Sequence, residues 1–155
     1  MATIEQSIEV DVPVTTAYNQ WTQFEEFPQF MEGVDSVRQL DDTHLHWVVS
    51  HQGQQHEFDT EISEQRPDER VAWRTTDGTS HAGVVTFHRL DENRCKVMVQ
   101  MDWEPEGMLE TLGAALGSDD RRVKDDLNRF KEMIESRGAA QGAWRGEVER
   151  GDVVG

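Results

Sequence analysis

Six short runs in which apolar and polar residues alternate follow one another between residues 34 and 104. Turn signals such as Asp41-Asp42, Gly53, Pro67-Asp68 and Asp77-Gly78 separate them. Alternation with period two puts one set of side chains on each face of a β-strand, and short turns join antiparallel neighbours. The middle of the chain is therefore predicted to form an antiparallel meander, and this restricts the fold more than any other feature.

The segments on either side of the meander complete the predicted fold. Residues 3–12 alternate and predict a seventh strand, while wider apolar spacing over residues 14–30, interrupted by Pro28, predicts two short helices. After Pro105 the spacing predicts one long C-terminal helix with an apolar stripe of Leu109, Leu112, Leu116, Val123, Leu127, Phe130 and Ile134. The class is α+β: a curved seven-stranded antiparallel sheet wrapped around that helix, with a cavity expected between them.

Length and glycine content divide the chain into a domain and a tail. With 155 residues the chain is expected to form one domain, which occupies residues 1–137. Five glycines and little apolar content follow from Gly138 onward. Residues 138–155 are therefore predicted to be a flexible, disordered tail.

The charge balance narrows the classes of partner. The chain has 31 acidic and 15 basic residues, for a formal net charge of −16. Such a surface repels phosphate backbones and anionic lipid surfaces, so no nucleic-acid or membrane partner is expected. A single cysteine, Cys95, favours a reducing compartment, and no secretory signal or apolar run of about 20 residues is present. A cytoplasmic location is expected.

Several short motifs carry a family resemblance. They are Val12-Pro13-Val14, Ala17-Tyr18-Asn19-Gln20-Trp21, Phe27-Pro28-Gln29-Phe30-Met31, Arg70-Val71-Ala72-Trp73-Arg74 and Glu104-Pro105-Glu106-Gly107. With them the chain resembles bacterial polyketide cyclase/dehydrase-like proteins of the START-related superfamily over roughly residues 3–137. The resemblance implies the helix-grip fold. It leaves the activity open, because that superfamily includes lipid carriers, hormone receptors and cyclases.

Strand alternation predicts which side chains face the cavity. The expected ligand-binding residues on the strands are Trp47, Phe58, Trp73, Phe87, Met101 and Trp103. Leu112 and Leu116 are expected to join them from the helix, and Phe27, Phe30 and Met31 to form a lid. Large, rigid aromatic rings suit a planar or polycyclic ligand. The alternative is that the same rings fill the space as ordinary core.

A few polar residues share the inward parity and are candidates for catalysis: Arg38, His51, His56 and Thr75. Arg38 is suited to hold a carboxylate or enolate oxygen, or it reaches solvent near a strand end. His51 and His56 flank one hairpin loop but have no evident third ligand, so no metal site and no cofactor are expected. Cys95, at the start of a strand, is expected to be a buried small hydrophobe.

Three functions are consistent with these features. The leading hypothesis is non-catalytic binding or transport of a hydrophobic small molecule such as a lipid, quinone or polyketide. The second is an enzyme, a cyclase or dehydratase acting on a polyketide-like precursor through the polar residues above. The third is a stress or interaction module with a filled core, which would contact a protein partner through its acidic surface or through Trp144 in the tail.

Overall fold

Seven strands follow the alternating runs along the chain. In the computed structural model, which describes residues 2–51, 53–76, 81–103, 120–140 and 142–154, they are β1 (Ala2–Val10), β2 (Val34–Gln39), β3 (His44–His51), β4 (Gln54–Arg66), β5 (Arg70–Thr75), β6 (His81–Asp91) and β7 (Arg94–Trp103). They form one sheet in the order β1-β7-β6-β5-β4-β3-β2. Every neighbouring pair is antiparallel, so the predicted meander is confirmed.

Helices lie where the wider apolar spacing predicts them. Helix α1 (Val14–Trp21) begins directly after Pro13, and a 3₁₀ helix (Phe24–Gln29) contains Pro28. Helix α2 (Asp120–Arg137) is the long C-terminal helix, and its described apolar stripe is buried: Val123, Leu127, Phe130 and Ile134. The first part of the predicted stripe, which includes Leu112 and Leu116, lies outside the described residues. None of the described helices has the length and apolar character needed to cross a membrane.

Polar contacts attach α2 to the N-terminal strand. The Lys131 ammonium donates to the Glu9 carbonyl oxygen over 3.1 Å, and the Asp11 amide donates to the Glu135 carboxylate over 2.7 Å. Between these contacts Phe130 and Ile134 are fully buried. Helix α2 is therefore held with its apolar stripe toward the rest of the core.

A bulge in β2 reverses the predicted orientation of one strand. The register of β2 against β3 shifts between Val34 and Ser36, which leaves Val37 buried and Arg38 exposed. A bulge inserts one extra residue, so every later side chain moves to the opposite face. The inward orientation predicted for Arg38 is therefore wrong.

The C-terminal segment adds two strands to the predicted seven, β8 (Glu147–Glu149) and β9 (Asp152–Val154). Strand β4 is longer than β3, and β8 pairs with Glu64 and Gln65 of β4, beyond the last residue of β4 that β3 covers. Arg150 and Gly151 both have positive φ and join β8 to β9 in a two-residue turn. Within the described residues the sheet has nine strands, and residues 147–154 of the predicted disordered tail form a hairpin instead.

Side chains before β8 hold this hairpin against the domain. The Arg145 guanidinium lies 5.6 Å from the Tyr18 ring centroid. Its two terminal nitrogens, Nη2 and Nη1, donate to the Asp68 carboxylate at 2.8 and 3.0 Å. The Trp144 amide donates to the Thr22 hydroxyl over 3.1 Å, and Val148 is fully buried. Only a few residues attach the hairpin to the domain. The overall composition of the tail therefore did not indicate that it is ordered.

Candidate functional site

An apolar cavity lies between the sheet, the 3₁₀ helix and α2. Its volume is about 70 Å³, counted as space open to the centre of a water molecule. One water needs roughly 10–15 Å³ on this measure, so the cavity exceeds the voids usual in a packed core. Its described lining consists of Trp21, Phe24, Phe27, Phe30, Met31, Leu45, Trp47, Phe58, Ile62, Val71, Trp73, Val99, Met101, Val123, Asp126 and Leu127.

Stacked aromatic rings form the wall on β3 and β4. Trp47 and Phe58 are cross-strand partners whose rings are 8° from parallel, with centroids 5.9 Å apart. The Trp47 indole N–H donates to the buried Thr60 hydroxyl over 2.8 Å. Since this hydrogen bond satisfies the indole within the protein, Trp47 presents carbon surface to the cavity.

Further aromatic contacts, one of them edge-to-face, connect this wall to the helices. Trp21 lies 5.1 Å from Phe130 and 5.5 Å from Phe30, measured between ring centroids. Phe27 lies 5.7 Å from Trp47 and so joins the 3₁₀ helix to the sheet. These rings therefore pack against one another along the cavity wall.

Trp73 occupies space that is free because the residue opposite it is a glycine. It stands directly opposite Gly83 on β6, and a Cβ atom on Gly83 would lie only 2.4 Å from Trp73 Cζ2. Gly83 was not among the residues predicted to shape the cavity. A glycine inside a strand often marks a close approach, and that was the available signal.

Asp126 is the charged residue in the described lining, and sequence reasoning missed it. Its side chain is 15% exposed, and its Oδ1 accepts hydrogen bonds from the Glu32 amide (3.3 Å) and from Arg129 (3.0 Å). Arg129 also binds the Glu32 carboxylate at 3.1 Å. Asp126 follows Val123 by three residues and precedes Phe130 by four, which is the spacing of the buried face. That spacing was the signal for its position.

Most of the predicted ligand-binding residues lie around this cavity: Trp47, Phe58, Trp73, Met101, Phe27, Phe30 and Met31. Phe87 is buried elsewhere, with its ring 5.3 Å from that of Tyr18. There the Gln65 amide nitrogen donates to the Tyr18 hydroxyl over 3.0 Å, and burial raises the pKa of Tyr18 to about 12. Phe87 is therefore part of the core and does not line the cavity. The side chain of Trp103, together with Leu112 and Leu116, lies outside the described residues.

Of the four candidate catalytic residues, the three whose side chains are described lie outside the cavity lining. Arg38 is exposed on the opposite face, and the side chain of His51 lies outside what the structure describes. Thr75 is half-buried opposite Thr60. His56 is half-buried, and its Nε2 is buried with no hydrogen-bond partner in the described part of the chain. None of the three described residues of this set is in the cavity lining.

Histidines on the outer face of β3 are paired with carboxylates. His46 contacts Glu57 through Nε2 at 2.9 Å and Asp59 through Nδ1 at 2.6 Å. These hydrogen bonds raise the pKa of the His46 imidazole, because both carboxylates favour its charged form. Among the described residues no group of three or more His, Cys, Asp or Glu side chains is placed to hold a metal ion.

Cys95 is fully buried, as predicted. Burial raises the pKa of its thiol to about 11. A thiol that stays protonated is a poor nucleophile. Cys95 therefore contributes packing to the core rather than reactivity.

Comparison with known proteins gives the chain its family. Residues 10–132 match the family described as polyketide cyclase / dehydrase and lipid transport. An uncharacterized 17.2 kDa protein from the melC2-rnhH intergenic region of Streptomyces lincolnensis is 58% identical over 149 residues, covering 96% of this chain and 99% of that protein.

Solved structures agree in fold. The Zhui aromatase/cyclase from Streptomyces sp. R1128 superposes with a TM-score of 0.73 at 17% identity, covering 92% of this chain and 98% of that one. A START superfamily protein from Mycobacterium smegmatis gives a TM-score of 0.66 at 16% identity, with coverage of 88% and 97%. The α+β fold with a large antiparallel sheet and a long C-terminal helix is thus confirmed, and the chain belongs to the polyketide cyclase/dehydrase and lipid transport family.

Proposed function

We propose that this protein binds and carries a hydrophobic small molecule in the cavity between the sheet and α2. The observation that carries the proposal is the open volume of about 70 Å³ inside a wall of aromatic and aliphatic side chains. An unfilled apolar cavity destabilises a fold by roughly 24 cal/mol for each Å³ of residual void. A ligand that fills the cavity would recover part of that energy, and this supports binding over the alternative of a filled core.

Family and structural relatives support the same class of ligand. The family description combines polyketide cyclases and dehydrases with lipid transport, and lipids are largely apolar molecules. Acid–base chemistry on such a molecule needs positioned proton donors and acceptors. Because Asp126 is the one titratable group in the described lining, carriage is favoured over catalysis.

A binding experiment with a blocked cavity tests this proposal. Met31 lines the cavity and is partly exposed, so Met31→Trp adds bulk at its edge. Leu90→Trp adds the same residue at an exposed position outside the described lining and serves as the matched control. We expect saturable fluorescence of the neutral probe N-phenyl-1-naphthylamine with the unmodified protein and Leu90→Trp, and its loss with Met31→Trp. Equal binding by both variants would place the probe on the surface and contradict the proposal.

Native mass spectrometry of freshly purified protein provides an independent test. We expect a reproducible mass above that of the bare chain, lost on denaturation. The extra mass should be absent from Met31→Trp and present in Leu90→Trp. An extra mass of equal abundance in both variants would show that the cavity does not hold it.

A cyclase or dehydratase activity is the second candidate. It is supported by the likeness to an aromatase/cyclase and by the buried Nε2 of His56, which has no hydrogen-bond partner among the described residues. If the protein directs cyclisation of a poly-β-ketone, His56→Gln should change the product distribution. His88→Gln, on an exposed residue of β6, is the control. Identical products with and without the protein would exclude this activity for that substrate.

A further inference from the structure

The segment between α2 and β8 lies against one end of helix α1. Residues 142–146, here called the strap, contact both residues that join α1 to the 3₁₀ helix, Thr22 and Gln23. The Trp144 amide donates to the Thr22 hydroxyl over 3.1 Å. Gly142 is so close to Gln23 that a Cβ atom added at position 142 would lie 2.6 Å from Gln23 Oε1. The strap is therefore packed on the helical corner, as we call Thr22 and Gln23.

This helical corner has a ring of the cavity wall on either side of it in sequence. Trp21 comes directly before the corner and Phe24 directly after it, and both side chains line the cavity. The Thr22 hydroxyl also donates to the Asn19 carbonyl oxygen over 2.6 Å, so one hydroxyl connects the strap to the last turn of α1. Any displacement of the corner therefore displaces two rings of the cavity wall.

One arginine of the strap joins α1 to the sheet. The Arg145 Nη1 donates to the Asn19 side-chain oxygen over 2.7 Å. The same guanidinium donates to the Asp68 carboxylate at 2.8 and 3.0 Å, and Asp68 lies in the turn between β4 and β5. Hydrogen bonds between ionised partners are stronger than neutral ones, and two parallel bonds also fix the geometry. Arg145 therefore holds the end of α1 close to the β4–β5 turn.

Both ends of the strap are attached to the core. On one side, α2 ends with Ile134 fully buried in its last turn. On the other side, β8 pairs with β4, its Val148 is fully buried, and the Gly151 amide donates to the Ser63 carbonyl oxygen over 3.0 Å. The strap is thus held at both ends, and this gives it a fixed position from which to restrain the helical corner.

The cavity is narrow for a ligand of the proposed class. Its volume is about 70 Å³, whereas pockets for drug-sized molecules usually have roughly 300–1,000 Å³. Entry of such a molecule therefore requires part of the wall to move. The sheet is held by ladders between all neighbours of β1–β7, whereas α1 and the 3₁₀ helix have only eight and six residues. Short helices open at a lower free-energy cost than the strands of a sheet, so the helical corner is the part of the described wall best able to move.

We propose that the strap restrains the helical corner, and that release of this restraint sets the rate at which a ligand enters and leaves the cavity. The inference rests on the proposed function, because it concerns exchange of the ligand of the same cavity. Arg145 is the positioning residue of this device, since its side chain contacts α1 and the β4–β5 turn together.

Stopped-flow kinetics of N-phenyl-1-naphthylamine in the full chain test the restraint. We expect Arg145→Ala to release the probe about threefold to fivefold faster than the unmodified protein, the size of effect typical for loss of one partly exposed ion pair. The association rate should rise by the same factor, because a looser restraint eases passage in both directions, and Kd should stay nearly constant. The matched control is Arg94→Ala, which removes an exposed ion pair with Glu9 at 3.0 Å, away from the described lining, and should change neither rate.

Hydrogen exchange followed by mass spectrometry tests the moving part in the ligand-free protein. We expect amide exchange over residues 14–29 to be faster in Arg145→Ala than in the unmodified protein or Arg94→Ala. Exchange in β6 and β7, which the strap does not contact through any described hydrogen bond, should be the same in all three proteins.

The outcomes separate the two proposals. If the unmodified protein binds the probe but Arg145→Ala leaves both rates unchanged, or if Arg94→Ala accelerates them equally, the restraint is overturned and the cavity proposal stands. A faster release without faster association would make Arg145 a contributor to affinity and would also overturn it. Unchanged hydrogen exchange over residues 14–29 would show that the helical corner is not what moves. If the unmodified protein does not bind the probe, the proposed function fails and this inference fails with it.

Discussion

At the scale of single residues, the absence of one side chain makes room for the largest ring of β5. Trp73 and Gly83 face each other across β5 and β6, and the indole lies where any other residue at position 83 would place its Cβ. A contact of 2.4 Å between carbon atoms is far inside van der Waals separation. The indole belongs to the cavity wall, so the size of residue 83 controls the shape of the cavity.

Gly83→Ala should therefore change both stability and binding. We expect the variant to lose about 1–3 kcal/mol of unfolding free energy, because overpacking forces the indole to move. Binding of N-phenyl-1-naphthylamine should weaken as the wall shifts. Chemical denaturation and probe titration measure the two effects.

A double-mutant cycle with Trp73→Leu supplies the control for this effect. Leucine is shorter than the indole, so Gly83→Ala should be much less destabilising in the Trp73→Leu background. Additive losses in the cycle would show that the indole is not what position 83 accommodates.

At the scale of elements, the β3–β4 pair carries a charge arrangement on its outer face. Glu57 and Asp59 on β4 flank His46 on β3, and each contacts one imidazole nitrogen. Each carboxylate accepts a hydrogen bond, so both ring nitrogens must carry a proton. Only the protonated imidazole has two N–H groups. The pair is therefore better stabilised when His46 is charged.

This arrangement predicts a pH dependence of stability. The pKa of His46 is raised in the folded protein, so its contribution is complete below the unfolded value of about 6.5 and is lost as the pH rises through the folded value. We expect His46→Gln to be destabilising at about pH 5.5 and to have a smaller effect at about pH 8.5. Denaturant melts at the two pH values measure this difference. A constant difference between the proteins would contradict the titration.

The C-terminal hairpin is the element whose contribution is easiest to isolate. Val148 on β8 is fully buried, whereas Val153 on β9 is 49% exposed. Removing two buried methyl groups in Val148→Ala should lower the free energy of unfolding by about 2 kcal/mol. The matched change Val153→Ala should lower it by less than about 0.5 kcal/mol. Equal effects in urea denaturation would show that the hairpin does not dock on β4.

At the scale of the whole molecule, charge opposes the fold. A net charge of −16 on 155 residues produces self-repulsion that compaction increases. Apolar burial at the sheet–helix core supplies the compensating stability, with side chains such as Val10, Val49, Val97 and Ile134 fully removed from solvent.

Added salt should therefore stabilise the protein. We expect the melting temperature to rise as sodium chloride increases from about 0.05 M to about 0.5 M, because screening weakens repulsion between surface charges. Differential scanning calorimetry measures the shift, and a series with a neutral osmolyte in place of salt is the control. A fall in the melting temperature would mean that the loss of surface ion pairs outweighs the relief of repulsion.

Local patterns in the chain were sufficient for the first seven strands, for the described helices and for most of the described cavity wall. Alternation placed Trp47, Phe58 and Met101 on the inner face because strand geometry imposes a period of two whatever the partners are. The residue types on that face also identified the cavity as apolar. These features depend on near neighbours in the chain, so tertiary context was not needed to read them.

Tertiary structure decided the features that depend on contacts distant in sequence. The bulge that turns Arg38 outward arises from pairing between β2 and β3, and β8 is ordered because β4 extends beyond its neighbour. The hydrogen bonds that Asp126 accepts from the Glu32 amide and from Arg129 were not predicted, and the one from Glu32 spans 94 residues. Period and composition describe one segment at a time, whereas register and long-range hydrogen bonds exist only once the segments have met.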